Sequence, residues 1–495
     1  MSIVWGIRWD RRTHAALLAL IAGLAAALAL QGHAAAPRAA ADTTVIVGGG
    51  SAAERAVVRA GGTVDKRLTS LHMLVARVPR DSVAQLGQAP GVRSVVADAA
   101  VKLLGDDTAA GGVSTTLDDV RAAISSPATG AAGVDVALID SGTVPVPALS
   151  NGDGLVNGPD FSASAADDQL RGLDAFGHGT HVAGIISGSD PAAGFTGIAP
   201  DSRLVSIKVA ATDGSTTLGR LLAGIGWTIQ HRSDDGLNIR VLNLSFGVRP
   251  EDTYTKDVLA YAAEQAWKAG IVVVVSAGNS GATSVGLDSP AYDPHVIAVG
   301  ADDLNGTADV SDDRVPDWSS RGQSSGRGPD VIAPGRAIVS LRVPGSFLDV
   351  SYSGARVSDT LFRGSGTSQA AGVVSGAAAL LVAQRPRLTP QQVKNLLTST
   401  ADPIPGERKS AQGAGRIDVA AALAAEPRGG EDKAKFAKAP KGGDDNEQGN
   451  KRNRTPAVGA NGSLWNGSLW NGSLWSGSLW SGSLWSSYEE PPPSR

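Results

Sequence analysis

Cysteine is absent from the 495 residues, which excludes disulfides, thiolate metal sites and a cysteine nucleophile. An excess of either charge is also lacking. With a formal net charge of -4, nothing in the bulk composition marks nucleic acid or an anionic membrane as a partner. A long apolar run is missing too: the stretch Ala15–Leu30 falls short of the ~20 residues that span a bilayer.

That stretch follows Arg8, Arg11 and Arg12 and leads into small residues at 34–36 and 39–41. A positive start, a short apolar centre and small residues at a cleavage site predict a secretory signal peptide over 1–41. The expected location is therefore secreted or cell-envelope associated, by bacterial-type export. At 42% hydrophobic the remainder can build a sizeable core, and its length calls for more than one unit.

Residues 42–107 predict a small α+β unit. A strand is expected at Thr44–Val47 and a helix at Ala52–Ala60, stopped by Gly61-Gly62. Two strands follow near Thr63–Leu68 and Met73–Val78. A second helix runs over Asp81–Leu86, capped by Asp81 or Ser82, and a last strand over Arg93–Val96. The order β-α-β-β-α-β is that of a ferredoxin-like unit.

From 114 to 425 the pattern becomes an alternation of apolar strands and helices. Strands are expected at Val134–Ile139, Leu204–Val209, Val241–Leu244 and Ile271–Val275. Helices are expected at Leu218–Gln230, Asp257–Ala269, Gln369–Gln384 and Pro390–Ser399. Near-continuous apolar strands between helices predict an α/β domain with a parallel sheet covered on both faces. Ligands in such folds bind at the carboxyl ends of the strands.

Residues 426–460 mix charges, Gly and Pro without periodicity and read as a flexible linker. Five pentads follow within 461–487, with Trp at 465, 470, 475, 480 and 485, and then a Pro-rich tail at 488–495. A period of five fits neither helix nor strand. Contact with the cell envelope through exposed indoles is one reading. A sticky disordered tail and a short solenoid are the others.

Four polar residues stand at predicted strand ends or helix starts. Asp140 ends the strand VDVALID, His178 lies in DAFGHGTHVAG, Asn279 closes IVVVVSAGN, and Ser368 lies in GSGTSQAAG. A serine hydroxyl needs an imidazole to take its proton during attack. The imidazole needs a carboxylate to fix its tautomer. The resulting oxyanion needs donors, which the Asn279 amide and the Ser368 backbone N–H supply. Taken singly, Asp140 reads as a turn residue, Ser368 as a helix cap, and His178 with His181 as a metal pair. That pair lacks an HExxH motif and a third ligand in register.

Together these segments resemble the subtilisin-like serine proteases, in that family's chain order Asp, His, Ser. The segments IAP at 198–200, NLSFG at 243–247, DVIAPG at 330–335 and GAGRIDVAAAL at 413–423 add to the resemblance. It implies a three-layer parallel-sheet fold with Asp140, His178 and Ser368 as triad and Asn279 in the oxyanion hole. It also implies that Ser245-Phe246-Gly247 line the primary pocket and that Ser215, Thr216 and Thr217 pair with the substrate backbone. The unit at 42–107 resembles the family's propeptide, a folding chaperone and temporary inhibitor whose C-terminal strand end lies in the active site. Protein or peptide substrates are the implied partners, with cutting of the precursor between about Ala97 and Ser114.

Some positions depart from the family pattern. Gly372 stands where proline is usual, and Gln369 follows the nucleophile where many relatives carry methionine. Peroxide is therefore expected to inactivate this chain more slowly. No cofactor is required for the chemistry. A structural calcium is left without assigned ligands, since Asp190 is the one acidic candidate in the loop Ser187–Phe195. Asp288 either floors the specificity pocket, favouring Lys or Arg, or lies in a surface loop. A rival function is an envelope-attached binding protein on an inactive form of the same fold.

Overall fold

The computed structural model describes residues 41–103, 113–150, 153–250, 253–283, 286–322, 327–427 and 429. The expected signal peptide (except residue 41), nearly all of the linker, the pentads and the Pro-rich tail lie outside the described residues.

Seven parallel strands form the central sheet. Their spatial order is Val331–Pro334, Ile297–Asp302, Val272–Ser276, Ile239–Leu244, Asp135–Asp140, Arg203–Lys208 and Leu155–Asp160. Every neighbouring pair is parallel. Six of them carry almost wholly buried side chains, as expected for strands covered on both faces. Helices Leu218–His231 and Val258–Lys268 pack on each other and on the sheet. Helices His178–Ser187 and Thr367–Gln384 form a second such pair.

The strand order places the site. After Asp135–Asp140 the chain lays two strands on one side of it, then crosses to build the other four on its opposite side. Where strand order reverses, neighbouring connections part and leave a crevice at the carboxyl ends. Asp140 is the last residue of that strand.

Residues 42–97 form a separate four-stranded antiparallel sheet, ordered Thr63–Leu68, Met73–Pro79, Asp42–Gly48 and Ser94–Ala97. Alternation along these strands divides their apolar side chains between two cores. Val45, Val47, Leu74 and Val78 pack with Ala53, Val57 and Leu86 from helices Ser51–Arg59 and Val83–Gly87. Ile46, Leu68, Met73 and Val75 join the main core. Each side chain so buried contributes on the order of 1.5–3 kcal/mol before entropy is counted. Polar contacts fix the docking: Ser70 Oγ donates to the Gly226 carbonyl at 2.8 Å, and Asp98 Oδ1 accepts from Gly219 N at 2.7 Å. The second bond places a carboxylate on the first turn of helix Leu218–His231, where the helix dipole favours it.

The chain then enters the crevice. Strand Ala100–Leu103 lies antiparallel between Ser215–Thr217 on one side and Phe246–Gly247 on the other. Val101 stands opposite Thr216, and Leu103 opposite Phe246. The Leu103 N–H donates to the Gly214 carbonyl at 3.2 Å.

Candidate active site

Helix His178–Ser187 starts from Gly177, whose φ of 103° is costly for any residue with a Cβ. At Gly179 a Cβ would stand 2.1 Å from the Gly142 carbonyl, so only glycine lets the helix start reach the end of strand Asp135–Asp140. His178 Nδ1 meets both carboxylate oxygens of Asp140, at 2.8 and 3.0 Å. Both residues are buried. Burial alone pushes the His178 imidazole down, but the charge and hydrogen bond of Asp140, with Asp174 behind them, outweigh it and raise the pKa. Its Nε2 is buried and has no hydrogen-bond partner among the described residues.

Ser368 is the second residue of helix Thr367–Gln384 and is fully buried. Gly372, one turn further on, lies against Val182 and Ile185, and a Cβ there would stand 3.3 Å from each. Val182 is itself one turn past His178. The two helices thus meet one turn beyond their functional residues. The helix is continuous through Gly372 without the family's proline.

Asn279 follows strand Val272–Ser276. Its Oδ1 accepts from the Thr367 N–H at 3.0 Å and the Thr367 hydroxyl at 2.9 Å. The oxyanion candidate is therefore fastened to the residue beside Ser368. The Thr367 hydroxyl also accepts from Gly278 N at 3.2 Å.

Sequence reasoning missed Asp174. Buried among the helix-start loop, it accepts from Ser141 Oγ, Gly177 N and Thr180 N, each at 2.7 Å. Ser141 Oγ in turn accepts from Gly179 N at 2.9 Å. Asp174 thereby ties the residue after Asp140 to the start of the His178 helix. Burial raises its pKa, and these three bonds oppose the shift. The one sequence signal is its place four residues before His178; its bonding partners come from the fold.

The remaining candidates are placed as follows. Thr216 is buried, its hydroxyl on the Val209 carbonyl at 2.7 Å, while Ser215 binds Asp213. Ser245 is buried and accepts from Asn243 Nδ2 at 2.9 Å, and Asn243 is held by Ser375. Both segments border strand Ala100–Leu103, with Phe246 and Gly247 paired to it directly. His181 donates from Nε2 to the carbonyls of Ile338 and Phe362, both at 3.2 Å, and so faces away from a shared ion with His178. Asp190 caps a short turn through Ala193 N.

Asp288 is half-buried, in a segment without regular secondary structure. Its carboxylate lies so close to Gly278 that a Cβ there would stand 2.3 Å from Oδ2. The next residue, Ser289, exchanges backbone bonds with Val248, just past Gly247. Asp288 therefore sits between the Gly247 and Gly278 segments. Burial raises its pKa to about 6 against the opposing charge of Arg249.

A family profile described as the Subtilase family matches residues 131–450. Serine protease AprX of Bacillus subtilis is 39% identical over 294 residues, covering 58% of this chain and 65% of that protein. Subtilisin E of the same organism is 31% identical over 345 residues, covering 69% of this chain and 78% of that protein. Mycosin-3 of Mycobacterium tuberculosis is 34% identical, covering 61% and 70%. Among solved structures, fervidolysin from Fervidobacterium pennivorans, a keratinolytic enzyme related to subtilisin, superposes with a TM-score of 0.62 at 25% identity. That match covers 79% of this chain and 62% of fervidolysin, so the chain spans just under two thirds of both AprX and fervidolysin.

Proposed function

The chain belongs to the subtilase family, the serine endopeptidases of the subtilisin type, and from that premise we propose that Asp140, His178 and Ser368 hydrolyse peptide bonds in a self-processed, exported precursor. Ser368 Oγ attacks the scissile carbonyl carbon while His178 Nε2 takes its proton. Asp140 holds the Nδ1–H and stabilises the imidazolium. The oxyanion accepts from the Asn279 amide and the Ser368 backbone N–H, at a helix start whose dipole favours negative charge. His178 then passes its proton to the leaving amine. Water, activated by the same imidazole, hydrolyses the acyl-enzyme.

The observation that carries this reading is strand Ala100–Leu103, threaded between Ser215–Thr217 and Phe246–Gly247. An extended peptide held on both edges by backbone bonds is how a protease of this kind takes a substrate. We read residues 42–107 as a ferredoxin-like propeptide, with its end occupying the substrate's place as an inhibitor. The antiparallel register sets Leu103 opposite Phe246. The proposed first cut follows this strand, between Leu103 and Ser114. Protein or peptide substrates follow the same path. Export and envelope contact through the Trp pentads belong to the same proposal.

A fluorophosphonate reagent tests the nucleophile. Covalent labelling at Ser368, blocked in a His178→Ala variant, supports the assignment. Labelling elsewhere, or none after the propeptide is shed, contradicts it.

A further inference from the structure

A second cluster of chemically active side chains lies far from the triad. Glu264, Asp293 and His295 are each fully buried, and one ligating atom from each lies within 4.8 Å of the others. Glu264 comes from the last turns of helix Val258–Lys268. Asp293 and His295 belong to the turn that feeds strand Ile297–Asp302. They precede the first residue of a parallel strand, whereas Asp140 and Asn279 lie at or just past strand ends. The cluster is therefore at the opposite end of the sheet, and the hydrolytic reaction makes no use of it.

Two features point to a bound ion. Asp293 Oδ1 accepts from His295 N at 2.8 Å, but its Oδ2 is buried with no hydrogen-bond partner among the described residues. A buried carboxylate oxygen left without a donor is costly, and the cost falls if a cation arrives. Arg327 and Lys394 are engaged in other bonds. Arg327 binds the carbonyls of Ala291 and Val296 and the Asp330 carboxylate. Lys394 donates to the carbonyls of Pro294 and Val296 at 2.7 and 2.8 Å and pairs with Asp330 at 3.0 Å. Lys268 approaches Glu264 from the helix surface at 3.3 Å.

We propose that Glu264, Asp293 and His295 hold one divalent transition-metal ion of the zinc class, which clamps helix Val258–Lys268 to the turn ahead of strand Ile297–Asp302. The donor set decides the class. One imidazole nitrogen with two carboxylates suits zinc. Calcium takes six to eight oxygens and gains nothing from the imidazole. The ion's competitor is a proton on Asp293, whose pKa burial pushes up to about 8, with the His295 N–H opposing and the Glu264 charge adding to the rise. Binding is therefore best measured at pH 8 or above, where that proton leaves readily.

The test uses the full chain carrying Ser368→Ala, stripped by a chelator and titrated with zinc chloride. The expected result is one ion per chain and a melting temperature about 5 °C higher at a hundredfold excess over Kd. His295→Asn and Asp293→Asn should each lose the ion and the shift. Cobalt(II) in the unsubstituted cluster should give the visible absorption of a site with nitrogen and oxygen ligands. That readout stands even if a variant fails to fold. Absence of stoichiometric binding, or zinc and cobalt signals unchanged in both variants, overturns the proposal and leaves a proton-sharing cluster.

Discussion

The side-chain carbonyl of Asn279 is held by both the backbone N–H and the hydroxyl of Thr367, at 3.0 and 2.9 Å. Two donors on Oδ1 fix which way the amide points, and in the proposed mechanism its Nδ2–H donates to the oxyanion. Removing one such donor costs about 10²–10³ in kcat in proteases of this chemistry. Asn279→Ala should show that loss with KM changed by no more than a few-fold. Thr367→Val keeps the backbone anchor and should lose less, with Thr367→Ser restoring activity. Steady-state kinetics on a peptide substrate checks this. An Asn279→Ala enzyme as fast as its parent contradicts it.

On the proposed reading, Asp288 gives the specificity pocket a titratable wall. Its pKa of about 6 means it is neutral below that pH and anionic above. An anionic Asp288 attracts Lys or Arg, while its neutral form leaves the pocket to apolar residues. The ratio of kcat/KM for Lys over Leu before the scissile bond should therefore rise between pH 5 and pH 8. Asp288→Asn should flatten it. A ratio that does not move with pH in the unsubstituted enzyme removes Asp288 from the pocket.

His181 makes the fold acid-sensitive. Burial, together with the nearby His178, lowers its pKa from 6.5 to about 4. The unfolded chain takes up the proton first as pH falls, so the neutral imidazole's contribution is fully present above 6.5 and is lost progressively towards pH 4. The shift corresponds to about 3 kcal/mol at most. Denaturant titrations of the Ser368→Ala chain should show that decline, and His181→Asn should reduce the slope while lowering stability at neutral pH. An equal pH slope in both chains contradicts the assignment.

The parts of the fold read well from sequence are those set by local pattern. The apolar runs around Val136, Val205 and Val273 fall within one or two residues of the observed strands, and helix Pro390–Ser399 begins and ends as expected. The four candidate segments stand out in the sequence because each sits where a strand ends or a helix starts. Contacts between distant segments do not. Lys208 breaks the apolar pattern of its strand, yet it is buried opposite Asp140, with its ammonium on the carbonyls of Leu170 and Leu173 at 2.7 Å. Asp174 looks like a loop residue until the His178 helix folds back onto Ser141. Asp98 caps a helix 121 positions further along the chain. No periodicity encodes such pairings, because they arise only when separate elements pack.

The most direct test of the account is the mass of the precursor from residue 42 onward, followed over time for the unsubstituted chain and for Ser368→Ala. The account predicts that the first sheds a fragment ending between Leu103 and Ser114 while the variant stays whole. Both chains remaining whole while folded, or the variant being cut at the same bond in isolation, would contradict it.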